Sequence, residues 1–202
     1  MKRVLSGMQP SGKIHLGNYL GATRQHIQMQ KTHECFYMIA DLHALTTIRD
    51  AETMRTLTHE LAVAYLALGL DPEKTVFFKQ SSLPEHAELC WIFDCITRMP
   101  FLERAHAWKD ANAKGKKDVT VGLFNYPILQ AADILLYQPD EVPVGKDQKQ
   151  HIEMSRDIAQ NFNQIFGETF KLPDAYIKEE VATVPGTDGQ KMSKSYGNTI
   201  DI

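Results

Sequence analysis

Three polar stations in this sequence carry residue types suited to ligand chemistry. The first is Ser6–Ala22, SGMQPSGKIHLGNYLGA. An apolar run, Val4 and Leu5, enters a turn rich in Gly, Ser and Pro, and His15-Leu16-Gly17-Asn18 then opens an amphipathic segment. The first N–H groups of a helix lack intrahelical partners and its dipole favours negative charge, so a strand–turn–helix of this kind suits an anion such as a nucleotide phosphate. Gly7, Gly12, Gly17 and Gly21 permit close approach of a ligand or of a second backbone. An ordinary tight strand-to-helix connection explains the same residues. The second is Asp133, which stands inside the apolar segment Ile128–Tyr137, while Asp41-Leu-His43 closes another apolar run nearer the N-terminus. An unpaired buried carboxylate is costly, so Asp133 needs a partner, and a backbone group or an arginine is the simplest one. The third is Lys191-Met192-Ser193-Lys194-Ser195, approached through the turn-rich Pro185-Gly-Thr-Asp-Gly189.

The elements that must position these stations alternate between strand and helix. Lys2–Leu5 reads as a strand, and Leu16, Leu20, Thr23 and Ile27 repeat at helical spacing up to about Gln30. Cys35–Ala40 is nearly all apolar, as in a strand buried on both faces, and it delivers Asp41 and His43 to its C-terminal end, where ligands bind in open α/β sheets. Asp50 suits the N-cap of a helix carrying the stripe Met54, Leu57, Leu61, Ala64 and Leu68, which Gly69 and Asp71-Pro72 stop. Thr75–Phe78 reads as a third strand. Ser82 and Glu85 have capping-box spacing for a helix reaching about Met99, and Phe101–Ala113 reads as another. The basic stretch 114–118 reads as an exposed loop. Tyr126-Pro127 is expected to start the helix that carries Asp133. Val142–Val144 is a short strand, and Ile152, Ser155, Ile158, Phe162 and Ile165 mark the buried face of a helix that Gly167 ends. Such alternation argues for an α/β fold with a parallel sheet covered on both faces.

At 202 residues the chain can bury a substantial core. Its apolar fraction of 43% and charged fraction of 23% are those of a soluble globular protein, and a net charge of −3 offers no global attraction for nucleic acid. No apolar run approaches membrane-spanning length and the N-terminus lacks the apolar core of a signal peptide. Cys35, Cys90 and Cys95 fit no common zinc pairing and read as reduced, mostly buried thiols of a cytoplasmic protein.

Taken in order, the stations resemble a class I aminoacyl-tRNA synthetase. His15-Leu16-Gly17-Asn18 is similar to that class's HIGH element and Lys191–Ser195 is an intact KMSKS. The segments Gly7–Gly12 (GMQPSG), Ala131–Tyr137 (AADILLY) and Val142–Gln148 (VPVGKDQ) look like the tryptophanyl branch, along essentially the whole chain. The resemblance implies a Rossmann-like, doubly wound parallel sheet, with an inserted helical connecting segment at about 75–125 and a KMSKS loop region at 185–202. It also implies activation of L-tryptophan by ATP, with Mg²⁺ held by the ATP phosphates, no protein-bound metal, and transfer of tryptophan to tRNA(Trp). The chemistry is positioning and charge stabilisation rather than protein nucleophiles.

Role by role, the resemblance makes His15, Asn18, Lys191 and Lys194 the catalytic set. His15 and Asn18 are expected to donate to phosphate, and the lysines to neutralise charge on departing pyrophosphate. ATP is expected along Gln9, Pro10, Ser11, Gly17, Asn18, Gly145, Lys146, Asp147, Val181 and Lys191–Ser195, with Asp147 as the ribose acceptor. Tryptophan is expected against Gly7, His43, Tyr126, Gln130, Asp133 and Gln148. Asp133 accepts from the indole N–H, a pure donor that phenylalanine lacks. Four positions depart from the common family pattern: Leu5 replaces an aromatic, Gln130 a methionine, Lys146 an acidic residue, and Ala111 a lysine for which Lys109 or Lys114 could substitute. The family continues past KMSKS into a helical anticodon-binding domain, whereas this chain ends seven residues after Ser195. A truncated catalytic domain that charges tRNA poorly is therefore expected, its full-length form a homodimer pairing through 75–125 by way of Trp91, Ile92, Phe93 and Phe101. A tyrosine-activating relative and a tryptophan-sensing paralogue without charging activity are the competing readings.

Overall fold

The computed structural model of the chain describes residues 1–202 apart from 106–107, 110–112, 114–118, 146–147 and 178–183. The expectations for Lys146, Asp147, Val181, Ala111 and the 114–118 loop therefore lie outside the described residues.

Among the described residues five strands form one sheet: β1 (Arg3–Met8), β2 (Glu34–Ile39), β3 (Thr75–Lys79), β4 (Glu141–Pro143) and β5 (Asp174–Tyr176). Their order is β3-β2-β1-β4-β5 and every pairing is parallel, with Val4 opposite Cys35 and Leu5 opposite Phe36. Successive strand side chains point to opposite faces. Val4, Cys35, Tyr37 and Ile39 thus pack on one side with Met29, Leu61 and Tyr65, from α2 (Arg24–Met29) and α4 (Ala51–Ala67). Leu5 packs on the other with Ile134, Val142 and Ile152, where α7 (Val121–Leu136) and α8 (Lys149–Phe166) lie. Both faces of the sheet are covered, as the apolar Cys35–Ala40 run predicts. Each fully buried aliphatic side chain here contributes about 1.5–3 kcal/mol of transfer free energy.

The connecting segment between β3 and β4 is helical: α5 (Glu85–Ile96), the short α6 (Met99–Leu102) and α7. Together with α8 they enclose a second core around Phe93, Ile128, Leu135 and Ile158. No helix among the described residues is long and apolar enough to cross a membrane.

Several element boundaries differ from the sequence reading. The strand β1 continues through Ser6 and Gly7 to Met8. The first helix is not uniform: α1 (Leu16–Asn18) passes through a π-helical turn, Tyr19–Thr23, before α2. The helix α5 begins after Pro84 with no side-chain cap, because Ser82 belongs to a 3₁₀ turn at Gln80–Ser82. It ends at Ile96, and α6 replaces the start of the expected Phe101–Ala113 helix. The helix α7 starts at Val121, capped by Thr120 through Leu123 N–H at 3.2 Å, and runs through Pro127. A proline there removes one hydrogen bond, toward the Leu123 carbonyl, and burial of Ile128, Ala131 and Leu135 outweighs it. Asp50 caps α4 through Thr53 N–H at 2.7 Å and Gly167, at φ 96°, ends α8, both as read. Ile165 is 53% exposed rather than core, and Cys95 is exposed while Cys35 is buried.

Candidate active site

The chain winds outward from β1 through β2 to β3, then returns to lay β4 on the other side of β1. At the C-terminal ends of β1 and β4, where the winding reverses, opens a cavity of about 470 Å³. Such a switch point leaves the strand ends unroofed because the two crossovers depart to opposite faces. Gly7 and Gln9 line it from β1 and the turn beyond, and Gly145 and Gln148 from the turn after β4. His43 lines it from α3 (Asp41–Ala44), and Tyr126, Gln130 and Asp133 from α7. Tyr126, Gln130 and Asp133 meet on one wall because residues three and four apart share a helix face. All six positions expected around tryptophan therefore share one cavity, together with Gln9 and Gly145 of the nucleotide set.

Asp133 has no exposed surface, yet it stands at the cavity wall. Its Oδ2 meets His43 Nε2 at 2.8 Å, while Oδ1 accepts from Gln80 Nε2 at 2.8 Å and meets His86 Nδ1 at 2.7 Å. Burial opposes ionisation, but the hydrogen bonds from His43 and His86 outweigh it and hold the carboxyl below its usual range. An ionised carboxylate only accepts, so those two ring nitrogens carry protons. His86 Nε2 then meets the Tyr137 hydroxyl at 3.0 Å. Of about four acceptor positions on the carboxylate, three are filled from within and one on Oδ2 remains.

Gln80 and His86 escaped the sequence reading, and so did the device that places Gln80. Asp41 accepts from the Ser81 N–H at 2.9 Å and the Ser81 hydroxyl at 2.5 Å, fixing the 3₁₀ turn. The Gln80 side-chain oxygen Oε1 then accepts from the N–H groups of Leu42 and His43 at 3.1 and 3.4 Å. A glutamine and a histidine within seven residues of a strand end were the available signal. Gly21, Ala22, Gln25 and His26 also line the cavity, from the π turn and the start of α2. The amide nitrogen of Gln25 is buried there without a partner among the described residues. On the opposite wall the Tyr126 hydroxyl lies 2.7 Å from His151 Nε2, and burial pushes Tyr126 up to about 12.

The remaining nucleotide positions gather in a second cluster. His15 Nδ1 accepts from Asn18 N–H at 3.2 Å, and Asn18 Oδ1 from His15 N–H at 3.3 Å, a reciprocal cap. The Met192 sulfur accepts from Gly17 N–H at 3.2 Å. Leu16 N–H donates to the Ile200 carbonyl at 2.8 Å. The first N–H groups of this helix, read from sequence as an anion cradle, are thus occupied by the chain itself in this conformation. Lys194 Nζ donates to the Ser11 carbonyl at 3.4 Å and lies along Gly12, whose φ is 118°. Burial lowers the pKa of His15, with the Lys194 charge adding to the effect, and partial desolvation lowers that of Lys194. Pro10 is buried, while Lys191 and Ser195 are exposed and Ser195 pairs with Ser193 at 2.8 Å. The KMSKS-like loop therefore sits on the His15 turn, two stretches almost the length of the chain apart in sequence.

The family described as tRNA synthetases class I (W and Y) matches residues 1–202. The chain belongs to that family. Within these class I synthetases it is 56% identical over 203 residues to the tryptophan–tRNA ligase of Fusobacterium nucleatum subsp. nucleatum, covering 100% of this chain and 62% of that protein. It is 56% identical over 200 residues to the tryptophan–tRNA ligase of Rhodopirellula baltica, covering 99% and 62%. The tryptophanyl-tRNA synthetase of Campylobacter jejuni, whose crystal structure is complexed with ADP and tryptophan, superposes with a TM-score of 0.94 at 53% identity, covering 99% of this chain and 62% of that one. The chain thus spans about three fifths of the length of the relatives it matches, and the relatives named here are tryptophan rather than tyrosine enzymes.

Proposed function

We propose that this chain is the catalytic part of a tryptophan–tRNA ligase, activating L-tryptophan with ATP to tryptophanyl-adenylate and pyrophosphate before transfer to tRNA(Trp). One observation carries the substrate assignment. A fully buried, ionised carboxylate, Asp133, stands at the wall of the switch-point cavity with one acceptor position left over. An indole N–H is a donor with no acceptor character and suits that position; a phenylalanine ring would leave it unpaired. The Campylobacter relative, crystallised with ADP and tryptophan, supports an adenine nucleotide and tryptophan as the ligands.

In this reading the tryptophan carboxylate attacks the α-phosphate and pyrophosphate departs. ATP enters as its Mg²⁺ complex, the metal carried by the phosphates and water. Gln9 and Gly145, assigned to the nucleotide, line the same cavity as the amino-acid positions. Lys194, already beside Ser11 and Gly12, and Lys191 on the same loop neutralise the developing charge, and His15 faces them from the turn. Since the Met192 sulfur and the Ile200 carbonyl occupy the helix N-terminus, nucleotide binding shifts this loop. A homodimer pairing through the connecting segment in a cytoplasmic enzyme completes the proposal. Trp91, 69% exposed, and Ile92 offer the apolar surface, whereas Phe93 is wholly buried core and Phe101 packs against that core.

Thermal unfolding with and without ligands tests the reading. Tryptophan at a hundred times its dissociation constant stabilises the fold by about 2.7 kcal/mol, and phenylalanine at the same concentration leaves the midpoint unchanged. Equal stabilisation by the two overturns the role assigned to Asp133.

A further inference from the structure

The loop Lys191–Ser195 is held to the preceding turn by backbone bonds, Met192 N–H to the Val184 carbonyl at 2.8 Å and Gly186 N–H to the Gln190 carbonyl at 2.6 Å, and by one side chain outside the KMSKS-like stretch. Asn198 is 2% exposed. Its Oδ1 accepts from Ser193 N–H at 2.8 Å, and its Nδ2 donates to the Lys191 carbonyl at 3.2 Å and to Asp188 Oδ1 at 2.7 Å. Asp188 Oδ1 also accepts from Gln190 N–H at 3.0 Å, and the Asn198 carbonyl accepts from Thr187 N–H at 3.1 Å. A single amide therefore grips the loop on both sides of Met192 and ties it to the Pro185–Gly189 turn. The seat is tight: a Cβ on Gly186 would stand 2.4 Å from Asn198 Cγ and 2.7 Å from its carbonyl oxygen. Beyond Asn198 the backbone docks on the His15 turn, through Leu16 N–H to the Ile200 carbonyl at 2.8 Å and Ile202 N–H to the Ile14 carbonyl at 3.1 Å.

We propose that Asn198 is a positioning residue, clasping Lys191–Ser195 to the 185–189 turn just ahead of the stretch that docks on the His15 turn, so that both lysine ammonium groups move as one unit over the phosphates. The inference rests on the adenylate-forming reading above and adds a residue to it. Lys191 is exposed, and Lys194 is exposed apart from the reach of its Nζ to the Ser11 carbonyl, so the placement of both rests largely on the backbone that Asn198 holds. Asn198 does not line the tryptophan cavity, so its effect falls on the phosphate side of the reaction.

The test compares Asn198→Ala with the exchange Asn198→Asp/Asp188→Asn in the full chain. The exchange reverses donor and acceptor across the 2.7 Å bond and keeps an acceptor for Ser193 N–H. Misplacing reacting groups by about 1 Å costs up to ~100-fold in rate, so Asn198→Ala is expected to lower kcat for adenylate formation at least about tenfold, equivalent to ~1.4 kcal/mol. Tryptophan affinity stays within about twofold of the parent, and the exchanged pair regains part of the rate. Trypsin cleaves after Lys191 and Lys194 faster in Asn198→Ala than in the parent. Unchanged kcat and cleavage, or a parallel loss of tryptophan binding, overturns the clasp; where Asn198→Ala does not fold, the exchanged pair decides, overturning it if it too loses tryptophan binding. If the unsubstituted chain makes no adenylate the functional reading fails by itself, and the cleavage rates alone support or overturn the clasp.

Discussion

Replacing Asp133 with leucine keeps the approximate volume of the side chain and deletes every acceptor. Three donors then lose their partner: Gln80 Nε2, His86 Nδ1 and His43 Nε2. His43 stands on the cavity wall and can turn to water, whereas Gln80 and His86 have no exposed surface. An unsatisfied buried donor costs about 1–3 kcal/mol, so two of them amount to roughly 2–6 kcal/mol, a large part of the ~5–15 kcal/mol that typically holds a domain together. Asp133→Asn is milder. Its oxygen can keep Gln80 and His86, and its NH₂ can face a His43 ring that moves its proton to Nδ1, a cost of about 1 kcal/mol. Urea unfolding at pH 7 measures both through the midpoint at constant slope. The carboxyl titrates below its ordinary value of 3.8. Its ionised form thus adds stability at every pH above that value, and the contribution fades as pH falls through the lower, folded-state value. Asp133→Asn removes that part of the acid limb. A leucine variant within about 1 kcal/mol of the parent, or an asparagine variant as costly as leucine, refutes the reasoning.

His26 is fully buried, bonds the Tyr65 hydroxyl at 3.0 Å and stacks on Tyr37; burial lowers it from 6.5 to about 4. The unfolded chain therefore takes up the proton first, and about 3 kcal/mol of stability disappears as pH falls from 6.5 to 4; His26→Phe is expected to flatten that decline in unfolding free energy measured across the range. Gly7→Ala places a Cβ 2.8 Å from Met38 Cε and 2.9 Å from its Cγ on the cavity wall. It is expected to cost ~1–3 kcal/mol in urea unfolding and to weaken tryptophan binding by calorimetry. Asp41→Ala frees the Gln80–Ser82 turn by removing both bonds to Ser81. Its destabilisation, ~1.5–3 kcal/mol per bond to a charged group, should be non-additive with Gln80→Leu in a double-mutant cycle.

Much of the fold was legible because its signals are local. The apolar run at Cys35–Ala40 showed a strand covered on both faces, and Asp50 and Gly167 marked helix ends by capping chemistry. The helix through Pro127 was hidden because proline is favoured in the first turn of a helix, and only tertiary burial explains its tolerance further in. The π turn at Tyr19–Thr23 left no pattern, since one extra residue per turn shifts periodicity less than the window used to read it. For the site, the residues projecting from strand ends and from α7 could be named in advance. What could not be read were the partners of Asp133. Gln80 and His86 reach it from the β3–α5 connection, and pairing across 53 and 47 residues depends on how the sheet is wound. Nor did the sequence show that the His15 cap and Met192 would occupy the helix N-terminus.

Pyrophosphate exchange into ATP, measured with the chain, Mg²⁺ and single aromatic amino acids, tests the central claim most directly. Exchange is expected with tryptophan, absent with phenylalanine and tyrosine, and abolished by Lys194→Ala and by Asp133→Asn. Exchange supported equally by tyrosine, or exchange with tryptophan that survives Asp133→Asn unchanged, would contradict the assignment of the cavity.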